Sequence, residues 1–271
     1  MKGEIDGKAA VYGPWMQNSV DSRGHKISYR TDGDATGVPL VLLAGFSRWA
    51  DNWWEVGYVT EVRDAYRVIA IDRLGHGDSD KPHDASEYLE HLIVSDIVAV
   101  LDAESVDRAL VWGFSMGARN AASVAVMEPA RVAALVLGGG APMPALDGRR
   151  ERVLAWADLI CTEDGMRRWL QSIGSADETI EESIAHNDAA ALAATVAGTA
   201  DWTPAADDID APSLWYMGSD DDGGFSADEL EVAGRLGVET HSIPGADHVA
   251  SFRRTADVLS FVRPFLDRHR P

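Results

Sequence analysis

Ser115, His248 and the run Asp220-Asp221-Asp222 are the residues whose types and order in this chain could support nucleophilic chemistry. Ser115 stands in Gly113-Phe114-Ser115-Met116-Gly117, a G-x-S-x-G sequence. A serine hydroxyl is a weak nucleophile at neutral pH, so it needs a base to take its proton. His248 follows a predicted strand and the turn Pro244-Gly245-Ala246-Asp247, the place where a doubly wound sheet presents its strand ends. Its Nε2 would accept the serine proton, provided a carboxylate holds the Nδ1–H tautomer. The turn after the preceding strand offers Asp220, Asp221 and Asp222 for that task, and three adjacent carboxylates cannot all face one imidazole. Asp247 adjoins His248 in sequence but reads as a surface residue. His76, in a Gly-rich turn, reads as structural. The competing reading of Ser115 is a serine in an ordinary glycine-rich turn, and of His248 a surface loop histidine.

The elements that would position these groups decide between the readings. Ala109 to Trp112 is a short apolar run, predicted as a buried strand, and Ala118 to Met127 is apolar except for Arg119, Asn120 and Ser123, predicted as a mostly buried helix. A strand reverses into a helix through one residue only if neighbouring side chains are out of the way, which Gly113 and Gly117 ensure. The same turn aims the Met116 N–H and the helix N-terminus at charge developing beside Ser115. Around it, Pro39 to Ala44, Tyr66 to Ile71, Val132 to Leu137, Pro212 to Met217 and Val238 to Ile243 read as strands separated by helical patterns. Val11 to Val20 and His25 to Tyr29 read as an edge hairpin. Leu146 to Ala200 contains no convincing strand and offers three or four short helical stretches, Arg150–Cys161, Glu163–Ser172, Thr179–His186 and Ala189–Gly198. Pro264 predicts a kink or a restarted turn in the last helix. The fold class is therefore α/β, a doubly wound, mostly parallel sheet with a helical insertion: core 1–140, insertion 141–206, core 207–271.

The composition excludes several functions. A chain of 271 residues with a formal net charge of −20 argues against nucleic acid or an anionic membrane as partner. Cys161 is the only cysteine, so neither an internal disulfide nor a thiolate metal cluster can form. Met1 to Ala10 lacks the apolar core of a signal peptide, and no apolar run reaches the ~20 residues that span a bilayer. A cytoplasmic location is the expectation, and no metal or organic cofactor is implied.

Five segments together resemble the α/β-hydrolase fold family, in its capped serine esterase/lipase-like branch. They are Leu42-Leu43-Ala44-Gly45-Phe46, Asp72 to Ser79 with Pro82, Gly113 to Gly117, Gly218-Ser219-Asp220-Asp221 and Gly245-Ala246-Asp247-His248. The order Ser, Asp, His along the chain also fits. The resemblance implies Asp221 as the acid, with Asp220 as the fallback, and the backbone N–H groups of Phe46 and Met116 as the oxyanion hole. Ala44-Gly45 departs from the His-Gly of many relatives but leaves the backbone donor intact. The helical insertion corresponds to the cap.

The implied reaction is acyl transfer through Ser115, and small neutral esters or lactones are the expected substrates. Trp49, Trp53, Trp54, Trp156, Trp169 and Trp202 fall in the loop after the oxyanion strand and in the insertion. Trp49, Trp53, Trp156 and Trp169 are the candidates for an apolar pocket, against the alternative that they pack insertion onto core. A C–C bond hydrolase of diketones shares the triad and would need a basic group for a substrate carboxylate, with Arg119 the candidate. A cofactor-free perhydrolase and a ligand-binding receptor on the same scaffold are the remaining alternatives.

Overall fold

A computed structural model describes residues 16–143, 147–173, 175–201 and 203–271. Met1–Ala10, the Val11–Trp15 part of the predicted edge strand, Leu146 and Trp202 lie outside the described residues.

Among the described residues eight strands form one sheet in the order β1-β2-β4-β3-β5-β6-β7-β8. β1 (Met16–Ser22) and β2 (His25–Asp32) make the edge hairpin, and β2 also runs antiparallel to β4 (Tyr66–Ile71). Arg23 and Gly24, both at positive φ, close the hairpin; that backbone twist matches the twist of its strands. β3 (Val38–Leu43), β5 (Ala109–Phe114), β6 (Val132–Gly138), β7 (Ser213–Gly218) and β8 (Glu239–Ile243) complete the sheet in parallel pairs. Continuous apolar strands fit a sheet covered on both faces. Leu40, Leu42, Val68 and Ala70 pack into one layer, and Val41, Leu43, Ile69 and Ile71 into the other.

The helices on these faces are short. α1 (Asn52–Glu55) and α2 (Tyr58–Val62) are separated by Gly57 at φ 91. α3 (Glu90–Ala103) and α4 (Met116–Met127) flank the sheet centre. Between β6 and β7 come α5 (Arg149–Ile160), α6 (Glu163–Ser172), α7 (Asp177–His186) and α8 (Ala189–Gly198). Thr162 caps α6 by accepting the Gly165 N–H, and Asp188 caps α8 by accepting the Ala191 N–H. α9 (Ala227–Leu236), α10 (His248–Arg253) and α11 (Thr255–Arg268) finish the chain.

α11 runs on through Pro264, where a kink or restart is predicted from sequence. The missing N–H leaves the Ser260 carbonyl without its helical donor, but Ser260 and Pro264 are both exposed, a position where solvent can take the donor's place. Among the described residues no helix is long and apolar enough to cross a membrane.

Candidate active site

Ser115 joins β5 to α4 at φ 54 and ψ −120, a conformation that non-glycine residues rarely adopt. Such strain costs about 1–3 kcal/mol and persists only where the surroundings over-determine it. The two glycines supply part of that determination. A Cβ at Gly113 would overlap the Gly117 carbonyl, and one at Gly117 would overlap the Leu43 carbonyl of the neighbouring strand. The Ser115 N–H donates to Gly138 O at 2.7 Å, which ties the turn to the end of β6.

His248 opens α10, immediately after the turn that leaves β8. Its Nδ1 lies 2.7 Å from Asp221 Oδ2. Its ring packs 5.1 Å from that of Phe114, the residue before Ser115, and a Cβ at Gly139 would sit 3.0 Å from His248 Cε1. The imidazole therefore stands at the strand ends that carry the elbow, the sharp turn from β5 into α4 at Ser115. Of the three adjacent carboxylates only Asp221 is turned to it. Asp220 is exposed and accepts from the Ser219 hydroxyl at 2.9 Å, and Asp222 is exposed at φ 50. Asp247 caps α10 through the Ala250 N–H.

The loop after β3 completes the arrangement. A Cβ at Gly45 would lie 3.4 Å from Ser115 Cβ, so this loop runs against the elbow. Gly45 to Arg48 is a tight turn closed by the Arg48 N–H on Gly45 O at 3.2 Å, with Ser47 at φ 57. The polar turn after β4 braces it from below. Asp72 accepts the Ala50 and Asp78 N–H groups at 2.7 and 3.0 Å and pairs with Arg30 at 2.9 Å. Arg73 donates to Gly45 O and to Asn120 on α4.

His76 is fully buried in the same turn. Burial, with the charge of Arg73 beside it, holds its imidazole well below the ordinary 6.5. Below pH 6.5 the unfolded chain takes up a proton that the folded chain refuses, so stability falls as pH drops from there. The contribution is complete above that pH and is lost at up to about 1.4 kcal/mol per pH unit. Urea unfolding at about pH 7.5 and about pH 5.5 measures the loss, and His76→Gln is expected to flatten it by one proton's worth.

The tryptophans divide. Trp156 and Trp169 meet the Phe46 ring at 4.8 and 5.3 Å and each other at 5.4 Å, and Met116 and Val153 pack against the same cluster. Trp53, expected in the pocket, is instead fully buried in the core against Trp112, Tyr58 and Phe252, because α1 turns that face to the sheet. Trp54 is buried too and bonds to Asp32. Trp49 stacks flat on His186 at 4.4 Å and so joins the loop to the end of α7. Arg119 is occupied by an ion pair with buried Glu90 at 2.9 Å. The buried set Arg73, Asn120, Glu90, Ser123 was not singled out from sequence, although three polar residues in the otherwise apolar α4 were its visible signal.

Residues 38–177 match the alpha/beta hydrolase fold family, about half of the chain, and the chain belongs to that family. It is 33% identical over 138 residues to a putative 2-succinyl-6-hydroxy-2,4-cyclohexadiene-1-carboxylate synthase of Bacillus subtilis, covering 51% of this chain and 49% of that protein. It is 39% identical over 109 residues to a 2-hydroxymuconate semialdehyde hydrolase of Pseudomonas sp. strain CF600, covering 39% of this chain and 37% of that protein. The chain thus spans about half or less of these relatives' length. An enol-lactonase from Burkholderia xenovorans LB400 superposes with a TM-score of 0.78 at 21% identity, over 92% of this chain and all of that one, which is a likeness of fold.

Proposed function

We propose that the chain is a serine hydrolase that cleaves esters or lactones of small, mainly neutral substrates. The observation that carries this reading is the 2.7 Å pairing of Asp221 with His248, whose ring packs on Phe114, the residue before the strained Ser115. In the proposed reaction His248 takes the Ser115 proton as the oxygen attacks the substrate carbonyl, and then gives it to the leaving alcohol. Asp221 holds the Nδ1–H and offsets the imidazolium charge. The N–H groups of Phe46 and Met116 bind the oxyanion. Water, activated by His248, then cleaves the acyl-enzyme and restores the serine. The insertion serves as a cap, and its Trp156 and Trp169 with Phe46 form an apolar wall for the acyl or alcohol group.

The C–C bond reading calls for a cation facing the substrate. Arg119, the candidate beside the elbow, is held by Glu90 and the Thr199 carbonyl, which favours neutral esters. A panel of p-nitrophenyl esters of increasing chain length, lactones and a ring-cleavage diketone, run beside fluorophosphonate labelling, tests both. Ester or lactone turnover with labelling is the expected result. Turnover of the diketone alone favours the second reading, and neither labelling nor turnover defeats the hydrolase. Trp156→Ala is expected to lower kcat/KM for aromatic or long-chain esters by roughly 10- to 100-fold, the worth of about 1.5–3 kcal/mol of lost apolar contact, while acetate esters change little.

A further inference from the structure

We propose, resting on the serine-hydrolase reading, that Arg73 is a positioning residue that aims the Phe46 N–H at the oxyanion and fixes its distance from the Met116 N–H. A planar trans peptide holds its C=O and N–H pointing in opposite directions. Gly45 and Phe46 share one such peptide, and the described residues contain no cis bond. Arg73 Nη2 donates to Gly45 O at 2.9 Å, and the Arg48 N–H donates to the same oxygen at 3.2 Å. With its oxygen gripped from two sides the peptide cannot rotate, and the Phe46 N–H faces away from the guanidinium.

The other arm of the fork reaches the elbow helix. Arg73 Nη1 donates to Asn120 Oδ1 at 2.8 Å, and Asn120 lies one turn after Met116, the first residue of α4. Asn120 Nδ2 donates to Glu90 Oε1 at 3.1 Å, and the Ser123 hydroxyl donates to the same oxygen at 2.5 Å. One rigid guanidinium therefore joins the loop that carries the first donor to the helix that begins with the second. A lysine ammonium cannot reproduce two donors in one plane.

Burying this cation is costly. Arg73 is 4% exposed, and burial pushes its guanidinium down to about 10, with Glu90 and Asp72 opposing the shift. It stays charged at neutral pH. An apolar side chain would fill the space without that cost but could not hold the carbonyl, which is the function the geometry assigns to the arginine.

Arg73→Met and Arg73→Lys, checked for folding by thermal unfolding, test the assignment. The readouts are kcat and KM on p-nitrophenyl acetate and the inhibition constant of a trifluoromethyl ketone. That inhibitor adds to the serine and leaves its own oxyanion in the hole. Folded Arg73→Met is expected to lose roughly 10- to 100-fold in kcat, part of the ~10²–10³ that removal of a whole donor costs. KM should stay within about threefold and the inhibition constant should rise by the same factor as kcat falls, because only species with a developed oxyanion sense the donor. Arg73→Lys should recover part of both. Equal kcat and inhibition constant in folded Arg73→Met and wild type would overturn the proposal. If Arg73→Met does not fold, Asn120→Ala, which releases one arm only, decides by the same two readouts. A wild type that neither turns over esters nor takes fluorophosphonate defeats the hydrolase reading itself. Variants that match an active wild type defeat the Arg73 assignment alone.

Discussion

Ser115→Ala is expected to abolish fluorophosphonate labelling and to lower ester turnover by about 10⁶-fold, the scale seen when a serine nucleophile is removed from an intact constellation. The size of the loss follows from the way the parts depend on one another. Without the hydroxyl oxygen, the paired His248 and Asp221 have no proton to move, and only substrate binding and the oxyanion donors remain to assist water. The variant should melt within about 2 °C of the wild type, since Ser115 is only half-buried, its hydroxyl belongs to no core cluster, and substitutions outside the core usually change stability by no more than about 0.5 kcal/mol. Activity and stability are thus expected to separate at this position. Ser115→Gly adds a second check: a glycine relieves the φ 54 strain, so it should be inactive and also raise the melting temperature. Retained labelling in Ser115→Ala would move the nucleophile elsewhere.

The parts of this molecule visible in its sequence are those set by local sterics and periodicity. Gly113 and Gly117 announce the elbow because no side chain fits at either place, whatever surrounds it. The apolar strands announce a sheet covered on both faces, and the helical stretches between β6 and β7 follow from the absence of any strand pattern there. What stayed hidden depends on which face of an element meets which neighbour. Trp53 stands seven residues beyond Phe46, so nearness in sequence suggests the pocket, yet α1 turns its indole into the core beside Trp112. Phe46 enters the sequence argument through its backbone alone, while its ring also holds Trp156 and Trp169 together. Arg73 sits in a turn dense with charge, where each residue looks solvated. Its burial arises only when β3, the β4 turn and α4 are assembled, and composition carries no record of that meeting.

Asp221→Asn is the second large effect expected, a fall of about 10⁴-fold in kcat, and Asp220→Asn is the control that gives it meaning. The adjacent carboxylates are alike in sequence but not in surroundings. Asp221 Oδ2 lies 2.7 Å from His248 Nδ1, whereas Asp220 is exposed and receives the Ser219 hydroxyl. An asparagine at 221 can offer its amide N–H to Nδ1, which places the imidazole proton on Nε2, the atom that accepts from Ser115 in the proposed reaction. The base is then present but in the wrong tautomer. KM should move little, because in the proposed reaction Asp221 acts only through His248, and fluorophosphonate labelling should slow in parallel with kcat, since it needs the same proton transfer. Asp220→Asn should stay within about threefold of the wild type, as expected for loss of a screened surface charge. Steady-state kinetics on p-nitrophenyl acetate with both variants measures the contrast. A collapse at Asp220 with Asp221→Asn active would reassign the acid by one residue and would require the β7 turn to rearrange during catalysis.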